Sequence, residues 1–315
     1  MSPARTSPRT PRRVTVSPLR YPGGKGLLYS RLRQIIRDND LTSSTYVEPY
    51  AGGAGAALGL LVSGQVSNIA INDLDPAVYA CWRAGVDEPQ AFSELVRTVD
   101  LTVEEWERQR DIYDNSPRDE LLSLGFATFY LNRTNRSGVL NGGPIGGKDQ
   151  TGNYKIDARF NRATLVERIR LIGLHASRIL VTNLDGRDVI KHYADEESAF
   201  IYADPPYFEK AGSLYMNAFD ASDHEELAKC LNEVDVARWV LTYDNVPRVQ
   251  ELYGGRRSRL FSLNYSAHRV VKAQEIMVFS DSLKIPESID VEHGELTETR
   301  ASKLVSKEVE YAAVS

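Results

Sequence analysis

Residues Asp204, Pro205, Pro206 and Tyr207 combine groups that could bind an aromatic amine. They follow the apolar run 199–203, which predicts a buried strand of a parallel sheet, and ligands bind beyond the carboxyl ends of such strands. The prolines have no N–H and hold the backbone extended, so that its carbonyls can accept hydrogen bonds. A carboxylate beside such a carbonyl suits an amino group with two hydrogens, and Tyr207 offers a face for stacking. Residues 204–207, here termed the tetrad, therefore predict a site for adenine or cytosine, the alternative being a plain strand end with a solvated acid.

A glycine-rich turn predicts a second ligand, a nucleotide-like cofactor. A predicted strand ends at Glu48 and Pro49, and a helix begins near residue 56; the turn between them holds Gly52, Gly53 and Gly55. Such a turn brings backbone N–H groups close to a nucleotide or nucleoside. The next predicted strand, 68–72, ends at Asp73, about twenty residues after the turn, where an acid can accept hydrogen bonds from ribose hydroxyls. The dinucleotide fingerprint itself is incomplete, so the pattern favours an adenosine-containing cofactor without specifying which.

Two weaker signals add candidates to the cofactor site. Gly23, Gly24 and Lys25, which follow Tyr21, place an ammonium group beside a backbone that can approach an anion, although the spacing is not that of a P-loop. Asp185 follows another predicted strand, 178–183, with Asp188 close behind as the alternative acid.

The composition is that of a globular protein. The chain has 315 residues, of which 42% are hydrophobic and 26% charged, enough for one large domain or two modest ones. No apolar stretch is long enough for a membrane span, and no segment has the pattern of a signal peptide, so we expect a cytoplasmic protein. Cys81 and Cys230 lie far apart without neighbouring ligands, which predicts neither a disulfide framework nor a metal site.

The charge distribution indicates a nucleic-acid partner despite a net charge of −5. Between residues 130 and 178 there are nine Lys or Arg residues and only three acids. This region contains a Gly-, Asn- and Arg-rich stretch without helical period, which suggests a functional loop, and Asn and Arg can read base edges. A glycine-rich surface loop is the alternative. The candidate DNA-binding residues are Arg133, Asn135, Arg136, Asn141, Lys148 and Arg159.

Taken together, the motifs resemble those of the Dam-type DNA adenine-N6 methyltransferases. The resemblance runs from about residue 18 to 280, and its motifs occur in that family's order: 21–25, 48–55, 72–76, a basic insert and the tetrad. Each motif is weak alone, whereas four in order at the right spacing are a specific signal.

The resemblance implies an α/β fold of the class I, Rossmann-like methyltransferase type, with a seven-stranded mixed sheet and an inserted, mainly helical recognition domain. It implies a catalytic domain over 14–75 and 176–285, a DNA target-recognition domain over 76–175, and tails over 1–13 and 286–315. S-adenosylmethionine would be the cofactor, with Tyr21 and Lys25 at its methionine end, the turn at 52–55 beneath it and Asp73 at its ribose. The further cofactor-binding residues would be Gly23, Gly24, Glu48 and Pro49. Asp185 would lie near the cofactor's adenine.

The resemblance also implies the reaction. Asp204 and the Pro205 carbonyl would bind the N6 amine of an adenine flipped out of double-stranded DNA, and Tyr207 would stack on that base. Asp204 would also border the cofactor. We expect a monomer that binds no membrane, whose only further partner would be a cognate restriction endonuclease on another chain. The stretch 142–147 departs from the family pattern, which puts the recognised DNA sequence in doubt and leaves the chemistry as it is.

Other functions remain open at this point. A cytosine-N4 or RNA methyltransferase would keep the fold and change the acceptor, and a DNA-binding regulator would use the basic insert without catalysis. A nicotinamide-dependent oxidoreductase is disfavoured by the incomplete glycine fingerprint and by the lack of an identifiable hydride-transfer site.

Overall fold

The computed structural model describes residues 16–20, 28–208, 219–266, 270–286 and 297–298. Four predicted cofactor residues, Tyr21, Gly23, Gly24 and Lys25, lie outside this part of the chain.

A mixed β-sheet forms the centre of the molecule. Its order is β3-β2-β1-β4-β5-β7-β6-β8. The first five strands of this order are parallel, whereas β7 runs antiparallel to both β5 and β6. The strands are β1 (Thr45–Glu48), β2 (Asn68–Asn72), β3 (Ile179–Thr182), β4 (Ala199–Ala203), β5 (Arg238–Asp244), β6 (Arg257–Ser266), β7 (Val270–Phe279) and β8 (Thr297–Glu298). The predicted seven-stranded methyltransferase sheet is thereby confirmed, with the two-residue β8 added at its edge.

The strand order creates one crevice suited to a ligand. β2 and β3 extend from β1 in one direction, whereas β4 and β5 extend in the other, so the order reverses between β1 and β4. Ligands of open α/β sheets bind at this reversal, outside the carboxyl ends of the strands. The tetrad follows β4, and the glycine turn follows β1. The fold therefore brings the two principal motifs to the same crevice.

Helices cover both faces of the sheet and fill the insert between β2 and β3. They are α1 (Leu28–Asp38), α2 (Gly55–Val62), α3 (Pro76–Asp87), α4 (Pro89–Thr98), α5 (Val103–Asn115), α6 (Leu121–Thr134), α7 (Arg162–Leu174), α8 (Gly186–Tyr193), α9 (Ala221–Asn232) and α10 (Pro247–Leu252). The start of α3 shows why a helix begins there: the Asp75 side chain caps it by accepting from the Ala77 N–H, and Pro76 occupies its first turn.

Two apolar cores lie on opposite faces of the sheet. One core joins α1 and α2 to the helices of the insert, for example through Leu32, Trp82 and Phe129. The other packs α8, α9 and α10 against the opposite face. Because the insert shares its core with one face of the sheet, the predicted recognition domain does not have a separate apolar interior. The indole N–H of Trp82, on α3, also donates to the Gly52 carbonyl at 2.8 Å.

Several local predictions need correction. α6 runs from Leu121 to Thr134 and thus includes the first residues of the Gly-, Asn- and Arg-rich stretch that was predicted to be a loop. Asp185, which was assigned from the sequence to a ligand, is the N-cap residue of the short helix α8. Residues 297 and 298 of the predicted C-terminal tail form β8, because they pair with β6.

Candidate active site and nucleic-acid interface

The tetrad begins directly after β4. All five residues of β4 are buried, and the Asp204 side chain is 6% exposed. The Thr242 hydroxyl, on β5, donates to Asp204 Oδ1 at 3.1 Å. A buried carboxylate is costly unless hydrogen bonds or charges compensate it. The position of Asp204 therefore depends on contacts from the neighbouring strand.

The other tetrad residues are fixed as well. Pro205 is buried and Pro206 half-buried. The Tyr207 hydroxyl donates to Glu275 Oε1, on β7, at 2.8 Å. Directly after the tetrad, the Phe208 N–H donates to Asp244 Oδ1 at 2.9 Å. Hydrogen bonds thus anchor the tetrad segment at both ends.

The glycine turn and Asp73 are in direct contact. Gly52 has φ +46°, a value that favours glycine, and its N–H donates to Asp73 Oδ2 at 2.9 Å. Asp73 Oδ1 accepts from the Asp75 N–H at 3.0 Å. Gly53 is buried beside Gly52, whereas Gly55 is exposed at the first position of α2. The carboxylate and the turn therefore form one unit at the edge of the crevice.

Glu48 and Pro49 have structural contacts beneath this turn. Glu48 is buried, and its Oε1 accepts from the Tyr46 hydroxyl at 3.0 Å and from the Ala57 N–H at 3.1 Å. Burial, and secondarily the Glu48 charge, raise the pKa of Tyr46 well above its usual value. The Pro49 carbonyl accepts from the Asn72 amide at 2.9 Å. These bonds fix the path of the backbone that leads into the turn.

The structure distinguishes the two acids near the end of β3. Asp185 caps α8, and both its carboxylate oxygens accept from the Arg187 guanidinium, at 3.0 and 2.6 Å. These hydrogen bonds from Arg187 lower the pKa of Asp185. Asp188 points outward and pairs with Lys191 at 3.3 Å. Of the two, Asp185 is the acid next to the sheet edge that also holds Asp73.

Two exposed leucines lie at the same edge. Leu74 is 47% exposed directly after Asp73, and Leu184 is 50% exposed directly before Asp185. The Asn183 amide donates to the Leu74 carbonyl at 3.0 Å, which links the two strand ends. Exposed apolar side chains beside a carboxylate suit the flat ring and hydroxyls of an adenosine group. The residues of this edge therefore fit the predicted cofactor.

Five of the six predicted DNA-binding residues are at least partly accessible. Arg136, Asn141, Lys148 and Arg159 are exposed, and Arg133 is half-buried. Lys148 pairs with Glu107 at 2.8 Å, and both side chains are exposed. Of these five residues, all but Arg133 lie within the segment 135–160, where Asn135 and Pro144 form an isolated bridge. The Gln150 side chain supports that segment, because it donates to the carbonyls of residues 145 and 147 and accepts from the Ile156 N–H.

Asn135 is the exception among the six. Its side chain is fully buried, its oxygen accepts from the Trp106 indole at 2.7 Å, and its nitrogen donates to the carbonyls of Val139 and Leu140. The polar atoms are used inside the protein, so the prediction that Asn135 contacts DNA is not supported by its position. Its side chain shapes the loop instead.

Three other arginines lie around the half-buried Arg133. Burial, with Arg20, Arg168 and Arg159 nearby, lowers the pKa of Arg133 to about 9. Arg133 donates to the Arg159 carbonyl, and Arg168 donates to the Ser17 carbonyl at 2.9 Å. No acid contributes among the causes of the Arg133 shift. Such a concentration of positive charge suits a phosphate group, and Arg20 and Arg168 were not predicted because only the fold brings them to Arg133.

Two predicted absences concern metals and membranes. Within the described residues, no group of three or more His, Cys, Asp or Glu side chains could hold a metal ion. Cys81 and Cys230 are buried and form no disulfide. No helix in the described ranges has the length and apolar character that a membrane crossing requires.

Comparison with known proteins identifies one family. The model of the D12 class N6 adenine-specific DNA methyltransferases matches residues 21–272. No curated protein matches the chain in sequence.

Two of the similar solved structures have low TM-scores and low sequence identity to this chain. The rRNA methyltransferase aviRa from Streptomyces viridochromogenes is 13% identical, with a TM-score of 0.33 over 80% of this chain and 84% of that one. Protein LPL1258 from Legionella pneumophila is 10% identical, with a TM-score of 0.30 over 83% of this chain and 87% of that one. At these scores neither similarity bears on the activity of the chain.

Proposed function

The chain belongs to the D12 class N6 adenine-specific DNA methyltransferase family, and we propose that it methylates one adenine within a short motif of double-stranded DNA. S-adenosylmethionine is the proposed methyl donor. The observation that carries the assignment of the site is the buried carboxylate of Asp204 at the reversal of strand order, directly before two prolines. DNA is the proposed partner, in the cytoplasm at the nucleoid, and the protein would act as a monomer. A cognate restriction endonuclease would be a separate chain.

The proposed cofactor site lies along the carboxyl ends of β1, β2 and β3. Gly52, Gly53 and Gly55 would let the backbone approach S-adenosylmethionine, above the support from Glu48 and Pro49. Asp73 would accept hydrogen bonds from the ribose, and Asp185 would lie beside the adenine ring. Asp204 would border the methyl group. From the sequence, Tyr21, Gly23, Gly24 and Lys25 would complete the site at the methionine end.

In the proposed reaction, S-adenosylmethionine supplies an electrophilic methyl group on its sulfonium. The adenine N6 lone pair is delocalised into the ring and is therefore a poor nucleophile. Asp204 and the Pro205 carbonyl would accept the two N6 hydrogens, which favours an electron-rich, partly pyramidal nitrogen. Pro206 keeps the segment extended, and Tyr207 would stack on the extruded base. Asp204 need not be a strong base, because the proton can leave after methyl transfer.

The proposed DNA surface is the basic part of the insert. Arg133 and Arg159, with Arg20 and Arg168, would contact backbone phosphate, because their mutual repulsion is relieved by an anion. The exposed Arg136 and Asn141 would reach base edges, and Lys148 would add charge at the margin. Asn135 would support the loop from inside.

The proposal is tested by incubating the purified protein with S-adenosylmethionine and unmethylated genomic DNA and mapping modified bases. We expect N6-methyladenine within one short motif. N4-methylcytosine would contradict the proposed acceptor, and methylation of RNA alone would contradict the proposed partner. The variant Asp204→Ala should lose at least about 99.9% of turnover while its DNA affinity stays within about threefold. Turnover comparable to that of the unmodified protein would refute the role of Asp204.

A further inference from the structure

The tetrad rests on polar residues that belong to two other strands. Thr242 and Asp244 lie two positions apart on β5 and therefore point to the same face of the sheet. Asp244 is the register partner of Glu275 on β7, so Glu275 shares that face. All three side chains are buried, with exposures of 0%, 3% and 0% for Thr242, Asp244 and Glu275. Each bonds to a different part of the segment 204–208.

Asp244 and Glu275 are an unfavourable pair by ordinary sheet rules. Like charges directly opposite each other on two strands destabilise a sheet, and burial increases the cost. Here each carboxylate accepts a hydrogen bond from the tetrad segment, Asp244 from the Phe208 N–H and Glu275 from the Tyr207 hydroxyl. Arg31, buried on α1, adds a positive charge that interacts with Glu275. Sequences break local rules of this kind mainly at functional sites.

The hydrogen bond at Asp204 has a defined direction. An ionised carboxylate can only accept, so the single proton of the Thr242 hydroxyl is donated to Asp204 Oδ1. The Tyr202 hydroxyl, 2.8 Å from Thr242 Oγ1, must then donate to Thr242. Tyr202 and Thr242 are both buried, and the chain of bonds starts from the sheet interior. The buried hydroxyls of Thr242 and Tyr202 thus orient the Asp204 carboxylate, and a substrate in the crevice would not have to contact either hydroxyl.

We propose that Thr242 and Glu275 are positioning residues for methyl transfer, Thr242 for the Asp204 carboxylate and Glu275 for the ring of Tyr207. This inference rests on the proposed function. Thr242 aims the acceptor oxygens at the amine hydrogens, and Glu275 fixes the plane on which the base stacks. Both act on the rate of transfer from the assembled complex, because neither lies on the proposed cofactor edge or on the basic surface.

The test compares Thr242→Val, which keeps the shape and removes the hydroxyl, with Thr242→Ser, which restores it. For Thr242→Val we expect kcat to fall roughly ten- to hundredfold, the usual effect of losing a hydrogen bond to a charged group. KM for both substrates should stay within about twofold. Thr242→Ser should recover most of the rate. Thr128→Val is the matched control, because Thr128 is equally buried and donates to the Leu124 carbonyl within α6; its kcat should not change.

The role of Glu275 is tested by a double-mutant cycle. If Glu275 acts through the Tyr207 hydroxyl, Tyr207→Phe combined with Glu275→Leu should be no slower than the slower single variant. If Glu275→Leu does not fold, Glu275→Gln, which keeps an oxygen acceptor, should stay faster than Tyr207→Phe.

The outcomes separate this inference from the proposed function. Failure of the unmodified protein to methylate DNA would overturn both. An active protein in which Thr242→Val is as fast as the original, or in which Thr242→Ser is as slow as Thr242→Val, would overturn the role of Thr242 alone. If the fold losses in kcat of Tyr207→Phe and Glu275→Leu multiply in the double variant, the role of Glu275 would be overturned.

Discussion

Replacing Arg133 by methionine should strengthen the fold and weaken DNA binding in the same variant. Burial and the charges of Arg20, Arg168 and Arg159 hold the pKa of Arg133 at about 9. Relative to the usual pKa of an arginine, this depression corresponds to a cost on the order of 5 kcal/mol. The lost hydrogen bond to the Arg159 carbonyl offsets about 1 kcal/mol of that. With solvent screening we expect a net stabilisation of about 2 kcal/mol, or a Tm higher by roughly 3–6 °C.

The pH dependence of this effect has a definite sign. The pKa of Arg133 is lower in the folded than in the unfolded protein. Above about pH 9 the folded protein therefore loses the Arg133 proton while the unfolded chain still holds it. The unfavourable term is therefore fully present at pH 7 and is relieved only above about pH 9. Thermal unfolding at pH 7 to 8 should show the whole gain of Arg133→Met.

The same variant should lose DNA affinity in a salt-dependent way. Losing one phosphate contact should weaken binding about tenfold near physiological salt and reduce the slope of log K against log salt by about 1. Fluorescence anisotropy over a series of KCl concentrations measures both. Arg136→Met is the matched control, because Arg136 is exposed: it should change DNA binding without changing Tm. A variant Arg133→Met that melts lower and binds DNA unchanged would refute the electrostatic reasoning.

Two further predictions concern the cofactor edge and the opposite core. Asp73→Ala should raise the Kd for S-adenosylmethionine at least about tenfold, as measured by calorimetry, because the N–H of Gly52 loses its acceptor. The control is Asp75→Ala, which removes only the cap of α3 and should lower Tm while leaving that Kd unchanged. Burial lowers the pKa of His224, so the free energy of unfolding should fall as the pH drops below about 6.5. His224→Phe should flatten that part of a profile of Tm against pH. An equally steep profile in the variant would show that His224 does not cause the loss of stability.

Patterns within single segments allowed much of the site to be predicted. A buried strand that ends in an acid is visible in sequence, and it placed both Asp204 and Asp73 at the carboxyl edge of the sheet. The spacing of Asp73 from the glycine turn led to a predicted ribose contact, whereas its bond from the Gly52 N–H became visible only in the structure. Residues that act across elements could not be predicted in this way. Glu275 is one of three polar residues in β7, beside Lys272 and Gln274, and belongs to no motif. Its link to Tyr207 exists only after β7 pairs with β5.

The roles in the insert were harder to predict for a related reason. Asn135 has the residue type that reads bases, yet the indole of Trp106, nearly thirty positions earlier, holds it in the interior. The tertiary contact overrode the chemical suitability of the side chain. Arg20 and Arg168 show the reverse, since neither belongs to a motif and both surround Arg133 in the folded protein.

The bond from Trp82 to the Gly52 carbonyl limits how the specificity of this enzyme could be engineered or could diverge. Trp82 lies in the segment that would be exchanged to transplant a new target sequence, and the backbone that it supports belongs to the turn proposed to hold the methyl donor. A chimera that replaced residues 76–175 as a block would exchange the support of that turn along with the loop that we propose reads DNA. Under the proposed function, new targets would be sought by changing exposed positions such as Arg136 and Asn141 while α3 and its indole are retained.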